Sequence, residues 1–231
     1  MTETTKRPLR TVLLTACLTA LGAAGAHDVT QVPFRDTFRP KIDAGWRWVR
    51  EDKSAWRVGD GGLEVRILPG NNWGPANDAK NVLVRPAPDV SGKAVDIAAS
   101  VENKPTGQWE QVDLCWYYDD SNMVKLGQEM VDGQLSIVMG REQGDKARTV
   151  KIIPIESSKV ELRLTVKANQ VRGSFRTPGA EWKPVGECDL PPAPQGKPPM
   201  VSLQFYQGLP DVEHWAKVAE VSFAAQASRL P

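Results

Sequence analysis

From Gly62 onward, apolar side chains fall on every second position through a series of short runs, each closed by Gly, Pro, Asn or Asp. Leu63, Val65 and Ile67 alternate with Glu64 and Arg66, and Val95, Ile97, Ala99 and Val101 alternate with Asp96, Ala98, Ser100 and Glu102. Val160, Leu162, Leu164 and Val166 repeat the pattern against Glu161, Arg163, Thr165 and Lys167. A period of two sends successive side chains to opposite faces of a pleated strand, so each run has a core face and a wet face, as antiparallel sheets do. Asp119-Asp120-Ser121-Asn122, Asp132-Gly133 and Ala168-Asn169 each separate two such runs and predict hairpins. Past the first 26 residues no stretch keeps a 3.6-residue apolar repeat, and 19 Gly and 18 Pro along the chain would interrupt helices. About a dozen strands predict an all-β fold, a two-sheet antiparallel β-sandwich of jelly-roll type. The Pro-rich stretch 190–199 is expected to cross between elements of the same domain, because the alternation resumes at Val201.

The first residues break this pattern. Lys6, Arg7 and Arg10 precede an apolar stretch over 11–21, and Ala24-Gly25-Ala26 is a small-residue run suited to cleavage before His27. This predicts a secretory signal peptide over 1–26 and one domain over 27–231, exported to the periplasm or beyond the cell. The apolar stretch falls short of the roughly 20 residues a transmembrane helix needs. Leu14-Thr15-Ala16-Cys17 resembles a lipoprotein cleavage box, which leaves a soluble and a lipid-anchored form open. With 29 basic and 28 acidic side chains the formal charge is +1, so nothing in the global electrostatics points to nucleic acid or an anionic membrane. Cys115 and Cys188 would remain after cleavage, and their pairing stays open at this level. With only His27 and His214 and no CxxC, there is no zinc-ligand spacing; no cofactor or metal is called for, and a structural calcium is left open.

Trp46-Arg47-Trp48, Ala55-Trp56-Arg57-Val58, Gly61-Gly62-Leu63-Glu64-Val65 and Asn77-Asp78-Ala79-Lys80-Asn81-Val82-Leu83 occur in that order. Together with Tyr117-Tyr118-Asp119-Asp120-Ser121-Asn122-Met123-Val124-Lys125-Leu126-Gly127, they resemble the concanavalin A-like domains at the C-terminus of bacterial β-xylosidases and their free-standing relatives of unknown function. The resemblance covers roughly residues 34–223 and implies a fold similar to lectins and to endoglucanases of that architecture, hence carbohydrate recognition. Glucanases of this architecture carry a Glu-x-Asp-x-x-Glu strand. This chain departs from it: Glu110-Gln111-Val112-Asp113 is the nearest approach, and its spacing puts the two carboxylates on opposite faces.

Alternation also places a candidate binding face. If Val112, Leu114 and Trp116 point to the core, then Gln111, Asp113, Cys115 and Tyr117 point away. Val124, Leu126 and Met130 as core leave Lys125 and Glu129 outward; Val201, Leu203 and Phe205 as core leave Ser202, Gln204 and Tyr206 outward. Asp113, Tyr117, Lys125, Glu129, Gln204 and Tyr206 would then share one surface if their strands are neighbours, with aromatic rings to stack on sugar C–H faces and polar groups for hydroxyls. The loop over 70–77 adds Asn72, Trp73 and Asn77, a Trp among turn residues that either meets a ligand or caps the sandwich. Trp46, Trp48 and Trp56 fit packing roles, and Trp109 and Trp215 receive none.

The expectation is thus a non-catalytic, lectin-like protein that binds poly- or oligosaccharide, against the plain alternative of a solvated sheet face. The first rival is a sugar-active hydrolase or lyase using Asp113 and Glu129, one strand apart on one face. A second is an envelope protein that docks another protein. A third is a copper brace formed by His27 and His214.

Overall fold

The computed structural model describes Met1 and residues 28–226. Met1 aside, the expected signal peptide lies outside the described residues, as do Cys17 and His27. In chain order the strands are β1 (Phe34–Asp36), β2 (Arg47–Val49), β3 (Trp56–Gly59), β4 (Gly62–Arg66), β5 (Val82–Pro86), β6 (Val95–Glu102), β7 (Gln111–Asp119), β8 (Asn122–Val131), β9 (Gln134–Gln143), β10 (Lys146–Pro154), β11 (Lys159–Lys167), β12 (Gln170–Arg176), β13 (Lys183–Asp189), β14 (Met200–Tyr206) and β15 (Trp215–Ala225). The only helical element among the described residues is a 3₁₀ turn at Lys53–Ala55, and none is long and apolar enough to cross a membrane.

Two antiparallel sheets face each other. One has the order β13-β12-β11-β6-β15-β4-β3, with β1 also paired to β15; the other has the order β10-β9-β8-β7-β14-β5-β2. The tight turns are where the local chemistry puts them. Asp132 and Gly133 join β8 to β9 with φ of 50° and 77°, and Gly144 and Asp145 join β9 to β10 with φ of 57° and 61°. Two consecutive left-handed residues are what a two-residue hairpin requires to match strand twist. The Pro-rich stretch 190–199 carries the chain from β13 in the first sheet to β14 in the second.

Alternation translates directly into the core. Leu63, Val65, Ile97, Ala99, Leu162, Leu164, Val221 and Phe223 from the first sheet pack against Val112, Leu114, Trp116, Val124, Leu126, Val201, Leu203 and Phe205 from the second. On β6 every second residue is buried and the intervening ones are half-exposed, the pattern of a sheet with one wet face. The second sheet departs from this. Nearly every residue of β7, β8 and β14 is buried on both faces, because residues 70–81 cross over the outer face and roof it. In a second, smaller cluster, Ala79 of the roof packs with Val82, Val84, Cys115, Tyr117, Met123, Met200 and Tyr206 beneath it. Two expectations change. The outward phase of these strands is covered rather than wet, and Met130, expected in the core, is only half-buried near the end of β8.

Candidate functional site

Register fixes which side chains meet beneath the roof. Gln111 pairs with Glu129 on one side and Tyr206 on the other, and Asp113 lies between Gly127 and Gln204. Cys115 lies between Lys125 and Ser202. Strand β9 extends the same rows, setting Val138 opposite Gly127, Gly140 opposite Lys125 and Glu142 opposite Met123. The three strands that carry most of the expected site residues, β8, β7 and β14, are therefore adjacent.

Two glycines create the space this arrangement uses. A Cβ on Gly127 would fall 1.7 Å from Asp113 Oδ1, and a Cβ on Gly140 would fall 2.4 Å from the Trp73 ring. Asp113 thus leans into the gap left by Gly127, and the six-membered ring of the Trp73 indole occupies the space over Gly140. Between them sits Lys125, 1% exposed. Its ammonium donates to Gln111 Oε1, to Glu129 Oε2 at 3.2 Å and to the Tyr206 hydroxyl at 3.4 Å. Asp113 Oδ2 lies 3.7 Å from the same nitrogen, and the Trp73 ring centroid closes a further side at 4.6 Å.

Burial sets the ionisation of this group. Desolvation pushes the Asp113 carboxyl up to about 6, with Lys125 opposing and Glu129 adding to the rise. Burial alone would lower Lys125, but the carboxylates of Asp113 and Glu129 outweigh it and hold the ammonium above the ordinary lysine range. Burial also drives the Cys115 thiol and the Tyr206 hydroxyl well above their usual values. Under the roof, Glu142 accepts from the Gly74 amide with both oxygens, at 3.1 and 3.2 Å, and burial raises its carboxyl to about 7.

An open cleft of about 320 Å³ lies beside Lys125. Trp73 and Trp109 line it with Asn71, Gln111, Lys125, Glu129, Gln207 and the apolar Val131, Val138 and Ile152. Trp109, with φ of 67°, is held at the head of β7 by a hydrogen bond from its amide to the Met130 carbonyl, and the residue is 43% exposed. A larger groove of about 660 Å³ runs beside Ile153, Phe175 and Pro184 near the free edge of the sandwich, but its single aromatic, Phe175, is buried.

The expected site residues divide into groups. Trp73, Lys125 and Glu129 line the cleft, and Asp113 and Tyr206 back the lysine from within. Asn72, Tyr117 and Gln204 instead serve the roof: Asn72 donates to Asp120 and Gln204, the Tyr117 hydroxyl donates to Asp120, and Arg50 binds both Asp120 oxygens at 2.5 and 3.0 Å. Asn77 bonds Ser121 and Asp145 on the neighbouring turns, away from the cleft. Sequence reasoning missed Trp109, although Gly107-Gln108-Trp109 at a strand start carries the same signal as the Trp73 loop, and it missed Asn71, Gln207 and Glu142. Trp46 is in the core, and Trp48 and Trp56 pack ring to ring at 5.2 Å. Cys115 and Cys188 are both free thiols, one in the second sheet and one in the first. His214 Nε2 lies 2.8 Å from Asn103 Oδ1 and 3.4 Å from Glu110 Oε1; no metal-ligand cluster of His, Cys, Asp or Glu occurs among the described residues.

Residues 35–192 match the family described as the beta xylosidase C-terminal concanavalin A-like domain. Among solved structures, the GH43 protein BlXynB of Bacillus licheniformis superposes with a TM-score of 0.73 at 17% identity, over 83% of this chain and 39% of that one. A xylan beta-1,4-xylosidase from Bacillus halodurans gives 0.72 at 17% identity, over 87% and 40%. A functionally unknown protein from Saccharomyces cerevisiae gives 0.59 at 14% identity, over 80% of this chain and 98% of that one. The chain spans about two fifths of the two Bacillus structures, and at these identities the likeness is one of fold. Comparison with curated protein sequences gave no match.

Proposed function

The chain belongs to the beta xylosidase C-terminal concanavalin A-like domain family, and from that premise we propose that it is an exported carbohydrate-binding protein without catalytic activity, whose ligand enters the cleft between Trp73 and Trp109. The observation that carries this reading is the convergence of two indoles with Gln111, Lys125 and Glu129 on one concave surface. Aromatic faces take up the C–H faces of a sugar ring while fixed polar groups bond its hydroxyls. The xylan and xyloglucan named for solved relatives make plant-wall oligosaccharides the first ligands to try.

The position of the carboxylates supports a reading without turnover. Glycoside hydrolysis ordinarily needs two carboxyl groups flanking the scissile bond. Glu129 reaches the cleft, but Asp113 is 0% exposed and faces Lys125 rather than the opening. The hydrolase or lyase alternative draws on the raised Asp113 carboxyl beside Glu129. Calorimetric titration with xylo- and cello-oligosaccharides, with released reducing ends assayed in the same samples, separates the readings. Binding without product is expected, with Trp109→Ala and Trp73→Ala each weakening affinity about tenfold or more, roughly 1.4 kcal/mol. Product abolished by Glu129→Gln would establish the enzyme instead.

A further inference from the structure

We infer that the cleft selects neutral saccharides and turns away acidic ones, because its one ammonium is already committed to the protein's own carboxylates. The inference rests on the carbohydrate-binding reading and specifies its ligand class. A site built for a glycuronate or a sulfated sugar needs an accessible cation, commonly a bidentate arginine. Among the described residues no arginine lines this cleft, and its single lysine is buried. The three N–H bonds of Lys125 are directed at Gln111, Glu129 and Tyr206, with Asp113 and the Trp73 ring on its remaining sides.

Counting charge gives the sign. Lys125 contributes one positive charge against the two carboxylates of Asp113 and Glu129, so the cluster is net negative with both ionised and neutral with one protonated. In neither state does it attract an anion. An incoming carboxylate would have to displace Glu129 from Lys125 or lie beside it, and the negative π-faces of Trp73 and Trp109 oppose it further. Neutral hydroxyls meet the reverse situation. Glu129 uses Oε2 for Lys125, while its Oε1 accepts no hydrogen bond from the described residues and is available at the cleft. A sugar hydroxyl can donate to that oxygen, and an ionised uronate group cannot.

The test is calorimetric titration of the full chain with xylotetraose, cellotetraose, tetragalacturonate and a xylotriose carrying one glucuronic acid. The expected result is binding of a neutral oligosaccharide, an affinity that changes little between low and high salt, and at least tenfold weaker binding of every acidic counterpart. The double variant Asp113→Asn/Glu129→Gln removes the two carboxylates that hold the buried Lys125 protonated, so it is titrated at pH 5, where the ammonium keeps its proton and a uronate stays ionised; there it is expected to lose neutral-sugar affinity and to gain tenfold or more for an acidic oligosaccharide, in a salt-dependent way. Circular dichroism and melting of that variant report whether it folds, and if it does not, the single Glu129→Gln replaces it. Acidic ligands that bind the wild type as well as neutral ones overturn the selectivity and leave carbohydrate binding standing. A folded variant with no gain for acidic ligands overturns its charge basis. Silence with all four ligands overturns both.

Discussion

Gly140 shows how much of the cleft rests on a missing side chain. Its backbone needs no special conformation; what it supplies is the space that the Trp73 indole fills. Gly140→Val is expected to displace the indole from the sheet, weakening saccharide binding by more than tenfold while the core on the opposite face stays packed. Tryptophan emission and a melting curve check both halves of that statement. Asp113 and Glu142 make the second prediction at this scale. Both hold their protons more tightly folded than unfolded, at about 6 and about 7. Their stabilising contribution is therefore complete below the ordinary carboxylate pKa and is lost as pH rises through those two values. The groups facing Asp113 are Lys125 and Glu129 of β8, Tyr206 of β14 and Cys115 of its own strand; Lys125, Asp120 and Asp145 surround Glu142. The melting temperature is expected to fall on the order of 5 °C between pH 5 and pH 8, and Asp113→Asn to flatten that slope. An unchanged slope in the variant would assign the effect elsewhere.

At the scale of elements, the roof over residues 70–81 converts a sheet face into a cleft. Arg50 anchors it by donating to the Ala79 carbonyl, to Asn72 and to both oxygens of Asp120. Arg50→Ala leaves Asp120 and Asn72 short of partners in a largely buried setting, with an expected cost of roughly 2–3 kcal/mol. Hydrogen exchange is expected to speed up first at the amides of Gly74, Asp78 and Ala79, ahead of the core strands. The strands themselves were legible, since Leu63 to Ile67, Val95 to Val101 and Val160 to Val166 state their faces by period two. Phase alone also separated Val112, Leu114 and Trp116 from Gln111, Asp113 and Cys115. The roof was not legible, because residues 70–81 carry turn chemistry without periodicity, and a segment that lies flat on a sheet announces neither its partner nor its height. Polar residues such as Asp113, Lys125 and Gln204 read as wet for the same reason. Nothing local distinguishes a solvated polar position from one whose partners come from a distant loop.

On the scale of the whole molecule, two sheets share one apolar core and differ in their outer faces. The first sheet keeps a wet face laced with ion pairs such as Arg176 with Glu161 and Arg57 with Glu64, and exposed pairs of this kind contribute little to stability. The second sheet concentrates its buried polar chemistry where a loop covers it, so the fold's asymmetry locates the cleft. The eight tryptophans are distributed to report on this: Trp46 and Trp116 in the core, Trp48 and Trp56 paired, Trp182 between Arg163 and Arg176, Trp215 under Arg57, and Trp73 and Trp109 at the cleft. Indole N–H resonances followed by NMR during titration with a neutral oligosaccharide therefore show whether the ligand enters between Trp73 and Trp109. Saturable shifts are expected at Trp73 and Trp109, with the other indoles unmoved and no sugar released. Shifts centred on Trp182 or Trp215, or no shifts with any saccharide, would contradict binding there.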